Sequence, residues 1–175
     1  MKRTNSSMQL TRAADYAVRV MIHLATLPAY ERASLPALAL ATRTPESFLS
    51  KVLQALSRAG LITSLRGQAG GFEILPSGRR ASMRQVIEAI DGPIHLNVCL
   101  ISQRACVRSK GCPAHHIWAE AQRAMLGVLS RAIIAEMALL TPSQFTASMP
   151  YPFRQLKATG SKGYAEPPLA LNSTF

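Results

Sequence analysis

Residues 44–75 read TPESFLSKVLQALSRAGLITSLRGQAGGFEIL. Phe48, Leu49, Val52, Leu53 and Leu56 recur at spacings of three and four, the period of one helix face. Thr44 is a candidate N-cap, Pro45 suits the first helical position, and Gly60 is placed to stop the helix. Two β-prone runs follow, Leu61–Leu65 and Phe72–Leu75, on either side of a glycine-rich turn. That pattern predicts a hairpin. A helix passing directly into a hairpin with an arginine at its tip, Arg66, is the second half of a winged helix-turn-helix.

The residues before this stretch supply the first half. Thr11 opens an apolar-periodic segment in which Leu10, Ala14, Ala17, Val18, Met21, Ile22 and Ala25 recur at helical spacing, marking a helix that ends before Pro28. YERAS (30–34) reads as a turn, and SLPALALAT (34–42) as a short helix capped by Ser34. After the hairpin, SMRQVIEAIDGP (82–93) predicts another helix, stopped at Gly92–Pro93. PAHHIWAEAQRAMLGVLSRAIIAEMALL (113–140) predicts a long one. Ile117, Ala121, Ala124, Val128, Ala132 and Met137 lie near one of its faces, with Met125, Leu129 and Ile133 beside them. So long an apolar stripe outside the compact unit needs a partner, and a two-fold mate supplies one. The expected fold is mainly α with a small β wing, a winged helix-turn-helix plus a long dimerisation helix. Its expected divisions are a flexible N-terminus (1–8), the DNA-binding domain (9–92), a cysteine loop (93–112), the dimerisation helix (113–141) and a disordered tail (142–175) rich in Pro, Ser, Gly and Thr.

The chain has 175 residues, with 20 Lys and Arg against 9 Asp and Glu, a net charge of +11. Fifteen of the basic and six of the acidic side chains lie within residues 1–110, where the electrostatic footprint is concentrated. Such a surface suits an anionic polymer, with nucleic acid ahead of anionic membrane. No apolar run approaches the roughly 20 residues that span a bilayer, and no signal-peptide core follows the charged N-terminus. A cytoplasmic protein with reduced thiols is expected, and three cysteines do not suggest a disulfide framework. No Ser/His/Asp grouping, phosphate loop or paired carboxylate points to an enzyme, and GQAGGF is a wing turn.

On the helix of residues 44–60, Ser47, Ser50 and Lys51 lie away from the apolar stripe. Hydroxyls and a lysine at the start of a helix suit a major groove, where serine bonds bases or phosphates and lysine reaches guanine or phosphate. Arg66 is placed to enter the adjacent minor groove. Gly67, with Gly70 and Gly71, lets the wing approach a backbone closely. Singly, these residues read equally well as a solvated surface. Within a complete helix-turn-helix and wing on a basic chain, they read as contacts to double-stranded DNA with a palindromic operator.

All three cysteines lie in CLISQRACVRSKGC (99–112), spaced C-x6-C-x5-C. Thiolates are soft ligands for iron–sulfur clusters, zinc or copper(I). The tight cysteine pairs of structural zinc sites are absent. Arg104, Arg108 and Lys110 would offset the negative charge of a thiolate cluster. A thiol-only or zinc-based sensor stays open, and so does a chance grouping. His115 lies three residues after Cys112, at the entry of the long helix. His116 points elsewhere on that helix, and His23 and His95 read as structural or solvated.

LTRAADYAVRVMIHLA, the 44–75 stretch, SMRQVIEAIDG and the cysteine loop, in this order, resemble the Rrf2 family of bacterial transcription regulators, with IscR-, NsrR- and RirA-like branches. The resemblance spans roughly residues 8–140, and its most specific piece is AGLITSLRGQAGGFEI. It implies a dimeric winged helix, with an iron–sulfur cluster in the loop of many members. Here the first cysteine gap is one residue longer than is common in the family. By resemblance, His115 holds the histidine position of IscR-like proteins with a [2Fe–2S] cluster. Asp15 holds the position from which NsrR-like proteins supply an aspartate across the dimer to a [4Fe–4S] cluster. The expected function is a homodimeric repressor that senses nitric oxide, redox or iron status through Cys99, Cys106 and Cys112.

Overall fold

The computed structural model describes residues 10–67, 70–102, 104–108 and 111–140. The expected flexible N-terminus (1–8) and tail (142–175), together with Lys110, lie outside the described residues. Up to Leu139 the chain forms one compact unit. Its helices are α1 (Arg12–Thr26), α2 (Leu35–Thr42), α3 (Glu46–Arg58), α4 (Pro76–Arg79), α5 (Met83–Asp91), α6 (Pro113–Arg131) and α7 (Ile134–Leu139). Two strands, β1 (Ile62–Leu65) and β2 (Gly71–Ile74), form the wing between α3 and α4. The mainly α architecture with a small antiparallel hairpin matches the expectation from sequence.

Local chemistry explains most of these boundaries. The Thr11 and Ser34 hydroxyls accept the N–H groups of Ala14 and Ala37, capping α1 and α2. Ser82 and Gln85 close a reciprocal capping box at the start of α5, and Gly92 at φ 80° ends it. Gly60, at φ 67°, follows the last turn of α3. Thr44 does not cap α3. The cap residue is Pro45, and the buried Thr44 hydroxyl is turned towards Thr42.

The core sits where α1 meets α3, α5 and α7. Met21, Leu24, Leu53, Leu56, Ile87 and Ile134 are all fully buried there. Removing such side chains from water is the main term holding the unit together. Leu49, Val52, Leu53 and Leu56 are buried as the periodicity of α3 predicts. Phe48 is 40% exposed and meets Tyr16 of α1 edge-on, with ring centroids 5.5 Å apart. It is a rim residue of the α1–α3 contact.

In the wing, Ile62 pairs with Ile74 and Leu65 with Gly71. Ala33, in the predicted turn, adds a bridge to Phe72. A Cβ on Gly71 would lie 2.9 Å from the Ala33 carbonyl oxygen, so the packing of the Ala33 segment against β2 requires this glycine. The single-turn helix α4 follows, and Arg79 on it donates to the carbonyls of Ala25 (2.9 Å) and Leu27 (2.8 Å). That guanidinium caps the C-terminus of α1.

The predicted continuous helix over 113–141 is interrupted at residues 132–133. Ala132 is extended, Ile133 bridges Ser82, and the flanking N–H groups of Met83 and Ile134 donate to the carbonyls of Ala132 and Ala81. A short sheet contact with the start of α5 therefore replaces helical bonding. It returns α7 to the core, where Ile134 is fully buried.

Candidate DNA interface and cysteine loop

Helix α3 has a buried apolar face and a polar stripe opposite it. Ser47 and Lys51 are exposed, and Ser50 is half-buried beside them. The stripe continues through Gln54, Ser57 and Arg58, further steps of three and four residues. The periodicity that sets Ser47, Ser50 and Lys51 on one face extends the stripe by a further two turns. Arg66 is exposed where β1 ends, and Gly67 follows at φ 108° with open space where a Cβ would stand. Gly70 differs, because a Cβ there would meet the Leu65 and Gly67 carbonyl oxygens at 2.5 and 2.7 Å. The tightness at Gly70 thus comes from the wing turn itself, and that at Gly71 from the Arg32–Ala33 segment packed against β2.

Between α3 and the wing lies an open cleft of about 450 Å³. Ser50, Gln54, Ser57 and Arg58 line one side, and Ser64 and Arg66 the other. Among the described residues, no acidic side chain lines it. The Ser57 hydroxyl is buried and has no partner among the described residues. Neither Arg58 nor Arg66 forms an ion pair among them; the pairs present are Arg19–Asp15, Arg32–Glu73 and Arg84–Glu88.

The chain from Gly92 to Cys112 connects α5 to α6. It is tied to α6 where the Leu96 N–H donates to Gln122 Oε1 at 2.9 Å. Asn97 caps a short 3-10 turn, Val98–Leu100, that contains Cys99. Cys99, Cys106 and Cys112 are free thiols, each half-buried. Cys112 occupies the N-cap of α6 without a side-chain capping bond, and the His115 N–H donates to its carbonyl at 3.0 Å. The Nδ1 of His115 is buried and has no partner among the described residues. A buried, unpaired imidazole nitrogen is costly, so this position suits an acceptor or a Lewis acid.

In kind, these donors fit an iron–sulfur cluster: three thiols and one imidazole nitrogen without a partner. They are not gathered, because among the described residues no three His, Cys, Asp or Glu side chains form a group that could hold a metal ion. Asp15 lies on the exposed first turn of α1 and pairs with Arg19 at 2.7 Å. His95, Arg104 and Arg108 are exposed in the loop, as is His116 on α6, and His23 is half-buried on α1. No helix of the described residues is long and apolar enough to cross a membrane.

A recognition-type helix, a basic wing beside it and a long helix with an uncovered face define a winged-helix transcription regulator. The family profile described as Rrf2, iron-dependent transcriptional regulator, matches residues 10–139. The chain belongs to the Rrf2 family of DNA-binding regulators. The regulator NsrR of Shouchella clausii is 26% identical over 133 residues, covering 75% of this chain and 89% of that protein. NsrR of Geobacillus kaustophilus is 28% identical over 131 residues, covering 74% and 89%. Among solved structures, CymR, the global cysteine regulator of B. subtilis, superposes with a TM-score of 0.65 at 24% identity, covering 76% of this chain and 98% of that one. IscR of T. potens does so with a TM-score of 0.59 at 20% identity, covering 83% and 95%. The two structures are similar to this chain in fold.

Proposed function

We propose that this protein is a homodimeric transcription repressor whose loop of Cys99, Cys106 and Cys112 holds an iron–sulfur cluster and senses nitric oxide, redox or iron status. The observation that carries this reading is the buried, unpartnered Nδ1 of His115, three residues after Cys112. The NsrR relatives and the family description support it. His115 and Asp15 of the partner subunit are the two candidate fourth donors; the Asp15 carboxylate is exposed and pairs with Arg19. A bound cluster would supply iron that reacts with nitric oxide or oxidants.

The chain's own residues carry the response. Ser47, Ser50 and Lys51 enter the major groove of a palindromic operator, and Arg66 with Gly67 enters the minor groove. The loop is rooted at Gly92, one residue after Asp91, and Asp91 is bonded to Thr11 at the start of α1. Its other end is the N-cap of α6. A change in loop conformation therefore acts on both helices. It shifts the population between states that do and do not hold the two recognition helices about 34–36 Å apart.

A thiol-only sensor is the second reading. The thiols are free and not gathered, and neighbours of the same fold include CymR. Native mass spectrometry of protein purified without oxygen separates the two. A dimer heavier by the mass of [2Fe–2S] or [4Fe–4S], lost in Cys106→Ala, is expected. A metal-free dimer after attempted cluster reconstitution would overturn the cluster reading and leave the thiols to act alone.

A further inference from the structure

The cleft between α3 and the wing is not explained by base reading at the start of α3. Its two cationic sides belong to different elements, with Arg58 at the end of α3 and Arg66 where β1 ends. Neither has an acidic partner among the described residues. Two like charges facing one space repel unless an anion lies between them. Gln54 and Ser64 add exposed donors on opposite sides. Leu65, 45% exposed, supplies an apolar patch beside them.

Duplex geometry identifies the anion. A helix in the major groove and a wing in the adjacent minor groove are separated by one sugar–phosphate strand. We propose that the cleft seats this strand, with Arg58 binding a phosphate oxygen on the α3 side while Arg66 passes beside the strand into the minor groove, Gln54 and Ser64 donating to the phosphate or sugar between them, and Leu65 packing against deoxyribose. This assignment rests on the DNA-binding reading above. It gives Arg58 a backbone role, because it lies about two turns beyond Lys51 and away from the end of α3 that reads bases.

The full chain is titrated with two duplexes of equal length over a range of salt concentrations. One is enriched from a random-sequence pool by the protein itself, and the other is its scrambled counterpart. Each neutralised phosphate contributes a slope of about 0.9 in log K against log salt. Arg58→Gln is expected to weaken both duplexes by the same factor and to reduce the slope by about 0.9 per bound protomer. Arg58→Lys is expected to keep the slope. An unchanged slope in Arg58→Gln, or a loss confined to the enriched duplex, overturns the assignment. So does displacement of DNA by inorganic phosphate at constant ionic strength, which would mark a free-anion site. Arg58 is exposed, so a thermal melt matching the parent's is expected for both variants. Failure of the parent protein to bind either duplex would overturn the DNA-binding reading itself, an outcome distinct from the loss of Arg58 alone.

Discussion

The Thr11 hydroxyl donates to Asp91 Oδ1 at 2.7 Å, while the Thr11 backbone N–H points to Oδ2 of the same carboxylate at 3.3 Å. The same hydroxyl oxygen accepts the Ala14 N–H, so one side chain caps α1 and joins it to the end of α5. The carboxylate also lies at the positive end of the α1 dipole. This contact ties the root of the cysteine loop to the first helix of the DNA-binding unit.

Asp91→Ala is expected to destabilise the fold by about 1 kcal/mol, because the bonds are charge-assisted but exposed to water. Thr11→Val is expected to cost about as much, since it also removes the cap. The double variant should cost less than the sum, with a coupling of about 0.5 kcal/mol or more by urea denaturation. Full additivity would show that the pair does not act as a unit.

Arg79 is a second long-range cap. Its guanidinium reaches the last carbonyls of α1 from a helix more than fifty residues later. Arg79→Met preserves much of the apolar stem and removes both bonds. A loss of about 1.5–3 kcal/mol is expected, the range for hydrogen bonds to a charged group. Arg80, exposed on the next residue, serves as the control, and Arg80→Met should change the melting temperature little. Equal effects of the two would mean that the Arg79 bonds are not sustained in solution.

What the sequence reveals and conceals follows from the range of each interaction. Helix α3 and the hairpin are legible because apolar period, Gly60 and the turn glycines act within a few residues. The same holds for α5, whose Ser82–Gln85 box is a four-residue signal. The break at residues 132–133 is not legible: AIIAEM contains neither Gly nor Pro, and the competing partner is the backbone of residues 81–83. The Arg79 cap and the Ala33–Phe72 bridge are hidden for the same reason. Cysteine spacing reveals the donor types in the loop, but it does not say whether those donors meet. The stripe through Gln54 and Arg58 was present in the periodicity, and only the wing opposite it shows what it faces.

Helix α6 leaves its outer face uncovered. Ile117 is 56% and Val128 58% exposed, and Ala121 and Ala124 between them are exposed as well. These four residues follow the spacing i, i+4, i+7, i+11 of a helix-packing seam, with small residues at its centre. A two-fold mate would set the same stripe against itself, so each substitution is felt twice. Ala124→Glu is expected to place two carboxylates in the seam and raise the dimer dissociation constant at least about 100-fold, which corresponds to roughly 2.7 kcal/mol. Because the residue is exposed in the single chain, the circular dichroism spectrum should be unchanged. Sedimentation equilibrium reads the result directly. A dimer as tight as the parent's would exclude the α6 seam and move the interface elsewhere on the molecule.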